Sequence, residues 1–167
     1  MANNIYAPKM VKAVWDIGVS GTLATNKSYA PSTSTNSDSG YVADKSIIIP
    51  EGSLILRAYT YCETAFADDG DDSTTLALGY TGATGAFIAA AQVGTVQYAA
   101  GIGMTLVDNY ALDGNALTQL NMGIARDATL LYTAADVELL LTLNNDHNVD
   151  AGKITLFVEY VQTGDIA

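Results

Sequence analysis

The chain has 167 residues, of which 49% are hydrophobic and only 15% are charged. This length suits one domain with a sizeable buried core, and the composition excludes a disordered chain. Eighteen acidic residues against seven basic ones give a net charge of −11. Binding to nucleic acid or to an anionic membrane depends on Lys and Arg, so we expect neither partner.

The cysteine count and the N-terminal residues exclude further classes of protein. A single cysteine, Cys62, excludes an internal disulfide framework and a cysteine-rich zinc site. The first residues lack the apolar core of a secretory signal, and no apolar run approaches the ~20 residues that cross a bilayer. We therefore expect a soluble protein that is made in a cytoplasm.

The chain begins with a polar segment that precedes the regular pattern. Residues 1–9 are interpreted as an N-terminal arm, in which Pro8 disfavours a helix. Residues 10–167 are interpreted as a single β-sandwich domain. A Ser/Thr-rich stretch at 25–40 has no core-forming residues in regular order, so it predicts an exposed loop within that domain.

Three segments show the alternation of apolar and polar residues that is typical of β-strands. In residues 11–19 every second residue is apolar, and Trp15 lies on that face, so we expect it in the core. Residues 54–66 form the clearest strand, and residues 154–162 form a closing strand with the same period. In the second segment, the residues expected to face inward are Leu54, Leu56, Ala58 and Cys62. The tyrosines expected to face outward are Tyr59 and Tyr61.

An acidic run interrupts the pattern after residue 66. It contains Asp68, Asp69, Asp71 and Asp72 around Gly70, and residues 74–80 are interpreted as a returning strand, which predicts a hairpin with an acidic tip. Four carboxylates could supply oxygen ligands for Ca²⁺. Neighbouring strand residues point to opposite sides, however, so we expect a solvated tip and no bound metal.

The remaining elements fix the predicted fold class. Residues 86–92 are the one stretch with good helix propensity and predict a helix of at most two turns. Residues 137–143 are nearly all apolar, as in a strand covered on both faces. Several short strands with almost no helix predict an all-β fold, a two-sheet antiparallel sandwich of the jelly-roll type.

Catalytic groups are sparse in this sequence. His147 is the only histidine and lies in a polar turn, so we interpret it as a solvated loop residue. A Cys62–His147 dyad is formally possible, but the parity of Cys62 predicts a buried and unreactive thiol. The motifs of serine nucleophiles, phosphate loops and dinucleotide sites are missing. We therefore expect no catalytic residues, no cofactor and no enzymatic activity.

The framework segments carry a resemblance to a known family. In order they are residues 48–59, 64–70, 77–80 and 150–161. This order resembles the small structural proteins of tailed bacteriophages, especially head decoration (cement) proteins. The resemblance implies a jelly-roll-like homotrimer that binds the major capsid protein on the outer surface of the virion, after synthesis in the host cytoplasm. It also implies stabilisation of the head by bridging neighbouring subunits.

Two interpretations of function follow. The first is capsid decoration, with partner contacts expected from the arm and the outward tyrosines, namely Asn3, Asn4, Ile5, Tyr6, Tyr59 and Tyr61. The acidic surface fits the outside of a container of DNA. The alternative is a receptor- or carbohydrate-binding module of a fibre or spike, because jelly rolls often carry sugar sites in loops.

Overall fold

A computed structural model describes the chain in six stretches: residues 8–18, 22–32, 41, 43–108, 133–144 and 147–162. Most of the predicted arm, including Asn3, Asn4, Ile5 and Tyr6, lies outside these residues, as does 33–40 of the Ser/Thr-rich stretch. The division into an arm and a single domain stays a prediction. No helix in the described stretches is long and apolar enough to cross a membrane.

The described residues form nine strands and one turn of 3-10 helix at Val96–Tyr98. The strands are β1 Lys9–Asp16, β2 Lys27–Tyr29, β3 Ile48–Ile49, β4 Ser53–Asp68, β5 Thr75–Tyr80, β6 Ala83–Gln92, β7 Ile102–Asp108, β8 Val137–Asn144 and β9 Val149–Gln162.

Two antiparallel sheets are built from these strands. Sheet 1 has the order β1-β9-β4-β7, and sheet 2 has the order β2-β8-β5-β6 with β3 also paired to β8. Consecutive strands β4 and β5, β6 and β7, and β8 and β9 lie in different sheets, so the chain crosses between the sheets at each of these connections. This is the strand order of a jelly roll. The predicted all-β antiparallel sandwich is confirmed.

The core lies between the two sheets and follows the alternation seen in the sequence. In β9, Ile154, Leu156 and Val158 are fully buried, and Trp15 of β1 is 0% exposed. A buried indole needs a hydrogen-bond acceptor, and Trp15 Nε1 donates to the Tyr29 carbonyl oxygen at 2.8 Å. The prediction that Trp15 belongs to the core is confirmed.

The predicted helix at residues 86–92 is wrong, because this segment lies in strand β6. Phe87 and Ile88 are both buried, and Ile88 pairs with Leu78 of β5. A helix of two turns has little stability by itself. Pairing with the sheet and burial of Phe87 and Ile88 outweigh the small contribution that the helix propensity of the alanines makes.

The inward set predicted for β4 is correct only in its second half. Ala58 and Cys62 are fully buried, but Leu54 and Leu56 are half-buried and Ile55 takes the inward position. The register with β9 shifts between Ile55 and Arg57, where β4 carries one extra residue. A β-bulge of this kind reverses the parity of all residues on one side of it.

The predicted hairpin of β4 and β5 is also wrong. β4 pairs with β9 and β7 in sheet 1, whereas β5 pairs with β6 and β8 in sheet 2. The acidic run therefore connects the two sheets at a corner of the sandwich. We call residues 68–74 together with residues 147–148 the acidic corner.

Replacing Gly79 by Ala tests the close approach of β5 and β6. The added methyl group would lie 2.2 Å from the Ala83 carbonyl oxygen, so the backbone of the β5–β6 turn must move. We expect a loss of about 1–3 kcal/mol in the free energy of unfolding, measured by urea denaturation. Gly85→Ala is the matched control, because its nearest neighbour would be the Ala89 Cα at 3.5 Å. Equal effects of the two substitutions would contradict this account.

Candidate functional site

Asp68 organises the acidic corner by accepting hydrogen bonds from the backbone that follows it. One carboxylate oxygen accepts from the Gly70 N–H at 3.1 Å and the Asp72 N–H at 2.9 Å, and the other accepts from the Thr74 N–H at 2.9 Å. Desolvation opposes the charged form, but these hydrogen bonds outweigh it and lower the pKa of Asp68 to about 2. The carboxylate therefore holds the turn that leads into sheet 2.

His147 joins the β8–β9 connection to the same corner. Its Nδ1 lies 3.5 Å from Asp69 Oδ1, and its Nε2 lies 3.7 Å from Asp71 Oδ1. The Asn148 N–H donates to Asp69 at 3.1 Å, and Thr74 Oγ1 donates to the His147 carbonyl oxygen at 2.9 Å. The polar turn that the sequence indicated is thus tied to the acidic run by side-chain contacts.

The four predicted carboxylates do not share a common point. Asp68 accepts from its own turn, Asp69 from Asn148, and Asp71 from the Ser73 N–H at 3.2 Å. Within the described stretches, no group of three or more His, Cys, Asp or Glu side chains is arranged to hold a metal ion. The arrangement joins two inter-sheet connections.

Cys62 and His147 are not brought together. The Cys62 thiol is fully buried, and its Sγ lies 3.2 Å from the Thr64 carbonyl oxygen and 3.3 Å from the Tyr98 carbonyl oxygen, either of which can accept its S–H. Burial raises the pKa of this thiol to about 11. Cys62 pairs with Ile154 of β9, whereas His147 precedes that strand, so the two lie on the order of 15–20 Å apart along it. The predicted burial of Cys62 is confirmed.

The solvent-facing side of sheet 1 carries a compact group of apolar and aromatic side chains. We call Met10, Lys12, Tyr59, Tyr61 and Phe157 the aromatic face. Lys12 pairs with Phe157 and Phe157 pairs with Tyr59, so that one row crosses three strands. The rings of Tyr59 and Phe157 stack with centroids 4.9 Å apart and an interplanar angle of 16°.

Side chains on either side of this stacked pair complete the aromatic face. Lys12 Nζ lies 6.0 Å from the centre of the Phe157 ring, and the Tyr59 hydroxyl lies 3.9 Å from the Met10 sulfur. Met10 is 57% exposed and Tyr61 is 47% exposed. Methionine, tyrosine and phenylalanine are enriched in protein interfaces, so this surface has the composition of a contact site.

Charged side chains stand at both ends of the aromatic face. At one end, Lys153 Nζ lies 3.0 Å from Glu63 Oε2 and 3.4 Å from Asp16 Oδ2, which joins three strands. At the other end, Arg57 of β4 is directly opposite Glu159 of β9. An apolar centre with a charged rim is the usual anatomy of a protein–protein contact.

The sequence identified part of this surface. Tyr59 and Tyr61 were expected on the outward side of their strand, and the structure places both there with Ala58, Thr60 and Cys62 turned inward. Met10, Lys12 and Phe157 were not expected as contact residues. Alternation does place Lys12 and Phe157 on outward faces, but only the pairing of β1, β9 and β4 shows that they meet Tyr59.

Comparison with known proteins reveals likeness in structure and none in sequence. No protein-family model matches the chain, and no curated protein is significantly similar to it. A chain of the cyanophage Pam1 capsid asymmetric unit has a TM-score of 0.53 at 12% identity, over 96% of this chain and 88% of that one. A chain of the capsid of Ralstonia phage GP4 has a TM-score of 0.50 at 12% identity, over 97% and 89%. The likeness establishes a shared fold.

Replacing Asp68 by Asn tests the acidic corner. We expect a loss on the order of 1 kcal/mol in the free energy of unfolding at pH 7, because an amide is a weaker acceptor for the three backbone N–H groups. The pKa in the folded protein, about 2, lies below the ordinary 3.8. The carboxylate's contribution is therefore complete above about pH 4 and disappears as the pH falls through about 2.

Urea denaturation of the parent and of Asp68→Asn at pH 7 and near pH 2 measures this effect. The difference between the two proteins is expected to shrink at the lower pH. Asp150→Asn, at an exposed position of β9, is the matched control for loss of one carboxylate. A difference that is the same at both pH values would rule out the capping role of the Asp68 carboxylate.

Proposed function

We propose that this chain is a structural protein of a tailed-phage virion, a decoration or cement protein. In this proposal it binds the outer surface of the head and stabilises it by bridging neighbouring major capsid subunits. The observation that carries the proposal is the fold shared with chains of two phage capsid structures over almost the whole of each chain. The proposed role is structural and requires neither a cofactor nor a catalytic residue.

The distribution of charge supports the outer surface as the location. A chain with a net charge of −11 is repelled by packaged DNA, whose backbone carries one negative charge per phosphate. The same charge keeps the protein soluble before assembly and is harmless on the outside of a head. The acidic corner, with Asp68, Asp69, Asp71 and Asp72, adds to this acidic surface.

Two sets of residues are proposed as partner contacts. The first is the N-terminal arm, with Asn3, Asn4, Ile5 and Tyr6, which precedes β1 at an edge of sheet 1. The second is the aromatic face, with Tyr59 and Tyr61. In a homotrimer each weak contact is present three times, so the summed attachment exceeds that of a single copy by avidity.

A receptor- or carbohydrate-binding module of a fibre or spike is the second candidate. The observation in its favour is Tyr61, whose ring is 47% exposed and able to stack on a sugar. Trp15, whose indole could also stack on a sugar, is fully buried in the core. Tyr59 and Tyr61, on the outward side of β4, are therefore the aromatic residues proposed for such a role.

Copy number separates the two candidates. Quantitative mass spectrometry of purified particles is expected to find hundreds of copies of this chain per particle, because decoration follows the repeat of the capsid lattice. A handful to a few dozen copies would favour the fibre or spike. Absence of the chain from purified particles would overturn the proposed function in both forms.

Removal of residues 2–7 tests the arm as a capsid contact. The truncation ends before β1 begins at Lys9, so the melting temperature of the isolated protein is expected to stay unchanged. The truncated protein is added to heads that were assembled without this chain, and co-sedimentation measures how much of it binds. We expect its occupancy on the heads to be lower than that of the parent protein. The matched control replaces residues 2–7 by a Gly/Ser segment of equal length. Equal occupancy for the parent and the truncated protein would exclude the arm as a contact.

A further inference from the structure

His147 lies between two carboxylates of the acidic corner, with one on each side of its ring. Its Nδ1 is 3.5 Å from Asp69 Oδ1, and its Nε2 is 3.7 Å from Asp71 Oδ1. A neutral imidazole has one N–H group and one lone pair, so it can donate toward only one of these carboxylates and presents its lone pair to the other. The protonated ring has an N–H group on each nitrogen. Only the protonated form therefore suits both carboxylates at once.

Gly70 leaves the space that the imidazole occupies. A Cβ at this position would lie 2.5 Å from the Cγ and the Nδ1 of His147 and 2.6 Å from its Cδ2. Any side chain at position 70 would therefore displace the ring. The φ of Gly70 lies outside the left-handed region, so the backbone is compatible with alanine and only the ring is in the way.

The contact joins two connections that are far apart in the chain. Asp69 and Asp71 belong to the connection from β4 to β5, and His147 belongs to the connection from β8 to β9. Both connections cross from one sheet to the other. The charge on one imidazole therefore acts on a contact between two inter-sheet connections.

The other carboxylates near this contact have different surroundings. Asp68 accepts hydrogen bonds from the backbone of its own turn, and Asp72 Oδ2 lies beside Gly94, 3.5 Å from where a Cβ would be. In β9, Asp150 is exposed. All three carry negative charge near neutral pH, as do the two carboxylates beside the ring. None of these described groups therefore opposes a positive charge on His147.

We propose that His147 is a proton-dependent clamp between the β4–β5 and β8–β9 connections. With a proton bound, the ring holds Asp69 and Asp71 to the β8–β9 connection. Without it, one carboxylate faces a lone pair, and the corner opens more readily. The proposal concerns the folded chain by itself and does not depend on a role in a phage head.

The charges of the three groups set the pH range in which the clamp acts. Histidine ordinarily gains its proton near pH 6.5, so the stabilisation appears as the pH falls through about 7 to 6 and is lost as the pH rises again. The pKa of Asp71 is lowered from the ordinary 3.8, first by a hydrogen bond from the Ser73 side chain and in smaller part by the charge of His147. The clamp is therefore expected to be closed between about pH 4 and about pH 6.

Thermal unfolding at about pH 5.5 and about pH 8 tests the clamp. His147 is the only histidine of the chain, so it is the side chain expected to change its charge over this range. The parent is compared with His147→Gln, which cannot take up the proton. We expect the melting temperature of the parent, relative to that of the variant, to be about 1–4 °C higher at the lower pH than at the higher one.

Gly70→Ala removes the contact without removing a charge. The added methyl group displaces the ring, while His147 and both carboxylates remain. This variant is expected to lose the same pH-dependent part of the stability as His147→Gln, and the double variant is expected to lose no more of it. Gly94→Ala is the matched control, because its methyl group would meet Asp72 Oδ2 at an ordinary 3.5 Å. It is expected to keep the pH dependence of the parent.

Amide hydrogen exchange locates the effect in the molecule. The N–H groups of Thr74 and Asn148 donate to carboxylates within the acidic corner. After correction for the intrinsic exchange rate at each pH, their protection in the parent is expected to be about 2–5-fold higher at the lower pH. In His147→Gln it is expected to be the same at both. The Thr81 N–H, which donates to the Glu138 carbonyl oxygen at 2.9 Å after β5, is the internal control.

Any of three results would overturn the proposal. The first is a difference between the parent and His147→Gln that is equal at both pH values. The second is full pH dependence of the stability in folded Gly70→Ala. The third is protection at Thr81 that changes as much as protection at Thr74 and Asn148. Asp71→Asn, which removes one exposed partner of the ring, takes the place of Gly70→Ala if that variant does not fold, and retention of the full pH dependence would count equally against the clamp.

Discussion

The pairing of β4 with β9 is the interaction on which the other features depend. These strands have 16 and 14 residues, and they pair from Ser53 and Gln162 at one end to Asp68 and Val149 at the other. Their inner side supplies buried residues to the core, and their outer side stacks Tyr59 on Phe157. Shifts in register let the long ribbon bend. Near one of them, Gly152 has a φ of 142° and lies so close to Phe66 that a Cβ would be 2.4 Å from the ring.

Polar contacts stabilise this pair of strands in two places. Where β4 ends, Asp68 caps the turn into sheet 2, and His147 with Asn148 ties the start of β9 to the same turn. On the outer face, Lys153 holds Glu63 and Asp16 together across three strands. The hydrogen bond with Glu63, together with Asp16, raises the pKa of Lys153 against the effect of desolvation. Lys153 therefore stays protonated beside the two carboxylates, at one end of the aromatic face.

The distribution of residue types agrees with a protein that works through its surface. Its one thiol is buried with a pKa raised to about 11, and its one histidine bridges two carboxylates at a corner. Of the four large apolar side chains that are exposed among the described residues, Met10 and Tyr61 lie on the aromatic face, whereas Ile48 and Val96 lie elsewhere. Four acidic residues, Asp68, Asp69, Asp71 and Asp72, lie instead at the acidic corner.

Local sequence determined the strands with a clear period of two and, where these strands are regular, the side of the sheet that each residue faces. Residues 11–16 alternate without interruption, and so do residues 58–62 beyond the bulge, so Trp15 in the core and Tyr59 and Tyr61 outside could be expected from period two alone. Only tertiary structure decided that residues 86–92 join a sheet, that the bulge after Ile55 reverses parity, and that β4 and β5 belong to different sheets. These outcomes depend on partners far away in the chain. The aromatic face also depends on tertiary structure, because Lys12, Tyr59 and Phe157 become neighbours only through the register of three separate strands.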